Sequence, residues 1–170
     1  MRARIGLMLV LFWVAACAYV PVDVESDANA PRYAMKTWNW LPRPPVARGE
    51  AEFAVVDERV RAAVERDLAV RRFKKVDRER PDFLITYYAA LEKPIDAQAI
   101  TYAAGVPLME KIVSSYPQGS LVIDVLDART GKLIWRGVGR RVFEAKQTPE
   151  ERRQRIQDAV ASVVDEFAPS

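Results

Sequence analysis

Residues 120–138 read Ser120-Leu-Val-Ile-Asp-Val-Leu-Asp127, then Ala128-Arg-Thr-Gly131, then Lys132-Leu-Ile-Trp-Arg-Gly-Val138. Two runs rich in β-branched and aromatic side chains flank four residues that end in Gly, which enters the left-handed region without steric penalty. The stretch is a β-hairpin, and it commits the C-terminal half of the chain to antiparallel sheet. A four-residue turn, 128–131, pairs Asp127 with Lys132 and sets Asp124 opposite Trp135; a three-residue turn, 129–131, sets Asp124 opposite Arg136. The longer turn is the expected one, because it lets Asp127 accept N–H groups two or three residues on, as Asx-turns do. It puts Leu121, Ile123, Val125, Ile134 and Val138 on one face and Val122, Asp124, Leu126, Leu133 and Trp135 on the other.

In that register Arg136 points away. Asp124, which interrupts an apolar run, then needs Arg140, Arg141 or a helix-borne Arg, since a buried carboxylate left unpaired costs several kcal/mol. Asp124 and Asp127 stand three apart on a strand and face opposite sides, which argues against a two-carboxylate hydrolase built on them. Asp124, Asp127 and Arg136 are therefore read as structural polar residues.

Downstream, Thr148-Pro-Glu-Glu151 has the form of a capping box, with an N-cap hydroxyl, Pro at the first helical position and Glu at the third. Ile156, Ala159, Val160, Val163 and Phe167 mark the buried face of the helix that follows, and Pro169 stops it. Upstream, residues 53–71 carry Val56, Val60, Ala63, Val64 and Leu68 at helical spacing, with charges mostly on the other faces. Residues 33–40 and 83–90 alternate as strands do, the second apolar on both sides as a central strand is, and residues 73–76 suit a short strand. Residues 91–118 hold no sustained period, the mark of a functional or mobile connection or of one with short elements of its own. Two one-faced helices cover one side of a mostly antiparallel sheet, an α+β two-layer sandwich.

Trp38 and Trp40 share a face of the first of these strands. With Tyr102 and Tyr116 they are the candidates for contact with a partner or ligand, although Trp residues two apart on a strand more often pack in a core or at its rim.

The chain opens with Arg2 and Arg4 before an apolar stretch, Ile5-Gly-Leu-Met-Leu-Val-Leu-Phe-Trp-Val14. That stretch suits a secretory leader and is too short to span a membrane, which takes about 20 apolar residues. Val14-Ala-Ala-Cys17 follows, resembling the bacterial lipoprotein signal in which small residues precede a lipidated Cys. Cys17 is the one cysteine of the chain, without an intramolecular disulfide partner, and lipidation accounts for it. The expected organisation is a signal peptide over 1–16, the lipidated Cys17 with a flexible tether to 31, and a single periplasmic domain over 32–170. Ala18 after the Cys, where Asp would hold a lipoprotein back, implies the outer membrane of a Gram-negative cell.

Half of the 170 residues are apolar and 29% are charged, far from the signature of disorder and suited to one soluble domain. With no His there is no Ser-His or Cys-His dyad and no His-ligated zinc. No phosphate loop, metal-ligand cluster or nucleophile signature stands out, so no cofactor, no metal and no enzymatic activity are expected. Loss of Arg2 and Arg4 from 26 basic residues leaves 24 against 23 acidic ones, net +1. Charge so balanced and so mixed along the chain argues against nucleic acid as a partner.

Lys36-Thr-Trp-Asn-Trp40, Pro81-Asp-Phe83 and Gly119-Ser-Leu-Val-Ile-Asp-Val-Leu-Asp127, followed by Leu133-Ile-Trp-Arg-Gly137, together resemble the bacterial lipoprotein family known as domain of unknown function 4136. The likeness extends to the terminal helix. Where the family ends its first helix with a Gly before an aromatic, this chain has Arg71-Arg72 before Phe73. The resemblance implies location and architecture and assigns no activity. The expected role is a non-catalytic outer-membrane lipoprotein whose domain binds an envelope protein or a cell-wall component. The alternative is a small-molecule or lipid carrier with a cleft between sheet and helices.

Overall fold

The structure is a computed structural model that describes residues 20–30, 34–42, 51–91, 95–96 and 115–168. Its strands are β1 (Val22–Ser26), β2 (Thr37–Trp40), β3 (Lys74–Lys75), β4 (Phe83–Ala89), β5 (Ile95–Asp96), β6 (Ser115–Tyr116), β7 (Leu121–Asp127) and β8 (Leu133–Gly139). The helices are α1 (Ala51–Val70) and α2 (Pro149–Phe167). Six strands form one sheet in the order β1-β8-β7-β4-β2-β3, and β5 pairs with β6 apart from it. The pairings β1–β8, β8–β7 and β7–β4 are antiparallel, whereas β2 runs parallel to both β4 and β3. The sheet is mixed and mostly antiparallel, and β4 lies inside it.

Both helices pack on one face of the sheet, as the one-sided periodicity predicts. Val64 and Leu68 of α1 and Val163, Val164 and Phe167 of α2 converge there on Ile85, Ile123, Val125 and Trp135. Every helix residue expected in the core is buried, including Val56, Val60, Ala63, Ile156, Ala159 and Val160. Removing Val, Ile or Phe from water contributes roughly 1.5–3 kcal/mol per side chain, so this interface holds the two layers together.

The helix ends follow from local chemistry. At α2 the capping box is complete: the Thr148 hydroxyl accepts from the Glu151 N–H, and the Glu151 carboxylate accepts from the Thr148 N–H at 2.7 Å. At α1 the Phe73 N–H reaches the Leu68 carbonyl and the Arg72 N–H reaches the Ala69 carbonyl, both at 3.0 Å, the two bonds of a Schellman motif. Arg72 takes the left-handed position, φ 66°, where Gly is usual, so the cap forms without it.

The N-terminal boundary differs from the expectation. Residues expected to be tether up to 31 include β1, which pairs along its whole length with β8 from Val22↔Gly139 to Ser26↔Trp135. Val20 is fully buried within the core. The composition of Val22-Asp-Val-Glu-Ser26 hides this, because an edge strand keeps charged side chains in solvent and needs little apolar period of its own. The connection over 91–118 contains the pair β5–β6, with Ile95↔Tyr116 and Asp96↔Ser115. Residues 97–114 of that connection lie outside the described residues.

Candidate functional site

The hairpin turn is the four-residue one. Asp127 pairs with Lys132 through its N–H at 2.9 Å, and the Asp127 carbonyl accepts from Gly131, φ 71°, at 2.8 Å. The Asp127 carboxylate accepts from the N–H groups of Arg129 and Thr130 and from the Thr130 hydroxyl, at 2.6–2.9 Å. Partial burial pushes its carboxyl up, but these donors outweigh it and hold the group below the ordinary carboxylate range.

Beyond the turn the expected register fails by one residue. Leu126 faces Leu133 and Val125 faces Trp135, so Ile134 is the extra residue of a β-bulge, and its carbonyl accepts from the Asp27 N–H at 3.0 Å. From there on Asp124 stands opposite Arg136 instead of Trp135. The expectations that Arg136 points away and that Asp124 draws on Arg140, Arg141 or a helix are therefore corrected. Asp124 accepts from Arg136 Nε at 2.5 Å and Nη2 at 2.7 Å, and neither side chain is exposed. The bulge also moves Trp135 to the helix side, where it packs 5.3 Å from Phe167 between ring centres, and Val138 to the other side with Arg136.

Cross-strand pairing extends this pair into a polar row on the face away from the helices. Glu25 of β1 is opposite Arg136 of β8, Arg136 is opposite Asp124 of β7, and Asp124 is opposite Thr86 of β4. Thr86, Asp124 and Arg136 are buried, among Val122, Leu126 and Val138. Burial pushes the Asp124 carboxyl up, Arg136 pulls it down, and the nearby Glu25 carboxylate adds to the upward push. A carboxylate held by two charge-assisted hydrogen bonds is an anchor for two strands. The signal for it in the sequence was the Asp and Arg themselves, one in each apolar run.

Trp38 is buried and meets Trp40 edge-on, ring centres 5.4 Å apart. Trp40 is half-buried at the sheet rim: its Nε1 donates to Glu65 at 2.8 Å and the Arg61 guanidinium lies 4.4 Å over its ring. Both Trp residues thus pack in the core and at its rim and form no exposed platform. Tyr116 lies on β6, and Tyr102 and Cys17 lie outside the described residues. Between sheet and helices there is a cavity of about 10 Å³ walled by apolar side chains, room for one water at most and too apolar to hold it. Among the described residues no group of three or more His, Cys, Asp or Glu is placed to hold a metal ion. None of the described helices is long and apolar enough to cross a membrane.

A family model described as Domain of unknown function (DUF4136) matches residues 22–169, starting at the first residue of β1. Among solved structures, the chain is similar to a DUF4136 family protein from Bacteroides thetaiotaomicron, with a TM-score of 0.57, 13% identity, and 88% of this chain and 97% of that one covered. It is also similar to a PDZ domain protein from Parabacteroides distasonis, with a TM-score of 0.56 at 10% identity over 89% of this chain. The chain spans 36% of the length of that protein. At such identities the likeness is one of fold. No curated protein sequence matches the chain.

Proposed function

The chain belongs to the DUF4136 family, and on that premise we propose that it is a lipid-anchored, non-catalytic module of the Gram-negative outer membrane that faces the periplasm and holds another envelope component, a protein or the cell wall. The observation that carries this reading is the leader: Arg2 and Arg4, ten apolar residues, and Val14-Ala-Ala-Cys17. The chemistry of the domain supports it. Asp124 is committed to Arg136, Asp127 to its turn, and Asp82 to the N–H groups of Lys36 and Thr37. A carrier would need a cleft between sheet and helices, and the cavity seen there among the described residues falls far short of the roughly 300–1,000 Å³ of ligand pockets.

The test is Cys17→Ser in cells. The wild type is expected in the membrane fraction with acyl mass on Cys17, and the variant free of acyl mass and released on lysis. A variant that still enters the detergent phase with the membranes overturns the anchor. Crosslinking of the wild type in intact cells, read by mass spectrometry, then identifies the component held.

A further inference from the structure

β1 runs antiparallel to β8, so the chain enters the sheet at the Gly139 end, opposite the hairpin turn. Val20 is fully buried there, near Gly139, and the Pro21 carbonyl accepts from the Arg140 N–H at 3.2 Å. Only residues 18 and 19 separate Cys17 from Val20. Three steps of at most about 3.6 Å keep the Cα of Cys17 within roughly 11 Å of that of Val20. The polar zone of a leaflet is itself about 5–8 Å deep, since a bilayer of 40–45 Å has a hydrocarbon core of about 30 Å. A chain so short, held at one end in lipid and at the other in the core of the domain, leaves no gap between them.

The same end carries exposed charge. Ala159 of α2 packs over Gly139 and Val163 over Gly137, so α2 runs against β8 and its turns before Ala159 project past the sheet beside the loop over 140–148. Residues 140–155 hold six basic residues against three acidic ones, in a mature chain of net +1; Arg140 is paired with Asp23 of β1, Arg153 with Glu150, and Arg141 lies 3.5 Å from Glu144. Arg141 is the most prominent: its side chain is 80% exposed, and its backbone is left-handed at φ 58°, a position that favours Gly. Its neighbours are pinned, the N–H groups of Val142 and Phe143 both donating to the Gly119 carbonyl. Lys146 is exposed in the same loop.

The geometry points to this end of the domain as a membrane-docking surface: with the lipid of Cys17 inserted, Arg141 and Lys146 lie among phospholipid headgroups and bind their phosphates. This rests on the lipid anchor proposed above. The basic residues around the hairpin turn, Arg80, Arg129 and Lys132, lie roughly 20 Å away, six steps along β8, and face away from the bilayer.

The experiment uses the acylated chain purified from membranes, its acyl mass confirmed, in vesicles of phosphatidylethanolamine and phosphatidylglycerol. Acylation occupies the native Cys17 thiol, so Arg141→Cys, Lys146→Cys and Arg129→Cys each take a single fluorophore. A quencher on the lipid headgroups is expected to quench the labels at 141 and 146 several-fold more than the label at 129. Equal quenching at all three sites, or strongest quenching at 129, overturns the docking surface while leaving the anchor standing. Absence of acyl mass overturns the anchor and this surface with it.

Discussion

Asp124 and Arg136 form a two-pronged ion pair, 2.5 and 2.7 Å, that joins β7 to β8 with neither side chain exposed. Removing one partner of such a pair leaves a buried charge without its counterpart. Asp124→Asn is expected to lower stability by roughly 3–5 kcal/mol, and Asp124→Leu combined with Arg136→Met to recover most of that loss. Urea unfolding of the wild type, the single variants and the double variant checks this. Wild-type stability in Asp124→Asn together with loss of a crosslinked partner makes Asp124 a binding residue instead.

Gly137 has Trp135 and Val163 where a side chain would stand, the Val163 Cγ1 2.7 Å from the position of its Cβ. The indole lies across the space that the glycine leaves. Gly137→Ala is expected to push Trp135 off its site at a cost of about 1–3 kcal/mol, with a shift in tryptophan emission. Unchanged emission and melting temperature rule out this packing role.

Arg72 holds a left-handed position that strains any residue with a Cβ. Arg72→Gly is expected to stabilise the domain by about 0.5–1 kcal/mol, the relief being partly offset by the extra freedom of Gly in the unfolded chain. A denaturant midpoint lower than that of the wild type refutes the cap.

Asp82 fastens the start of β4 to the start of β2, accepting from the N–H groups of Lys36 and Thr37 at 2.8 Å and from the Thr37 hydroxyl at 2.9 Å. The two N–H groups, foremost that of Lys36, hold its carboxyl below the ordinary carboxylate range. A folded value below the unfolded one gives stability that is present above the unfolded value and is lost as pH falls through the folded one. Unfolding free energy should therefore decline below about pH 4. In Asp82→Asn it should start about 1 kcal/mol lower at neutral pH and decline less on acidification. Parallel pH curves for the two proteins exclude Asp82 from the acid response.

The elements that sequence revealed are those whose pattern is local. The hairpin turn needs Asp127 and Gly131 at fixed offsets, and the α2 cap needs Thr148, Pro149 and Glu151; all are present and all act as their chemistry predicts. β1 is hidden in the sequence because its partner, β8, supplies the apolar surface and two of its own five residues are charged. The bulge at Ile134 escaped notice because inserting one residue needs no special residue type, and alternation on either side of it remains intact. That single insertion decided the candidate site, bringing Asp124 to Arg136 and turning Trp135 inward. Trp38 and Trp40 share one face, as strand alternation dictates, and α1 lying over that face buries Trp38 and half-buries Trp40.

The pairing of β1 with β8 has a mechanical consequence. The hydrogen bonds of an antiparallel ladder lie perpendicular to its strands, and β1 joins the domain by such a ladder over all five of its residues. A pull on the N-terminus directed out of the Gly139 end runs along the axis of β1, so the rungs are strained together in shear instead of being opened one after another. Under such a load the five rungs of the β1–β8 ladder give way together or not at all, and the edge strand acts as the strap by which the fold withstands tension.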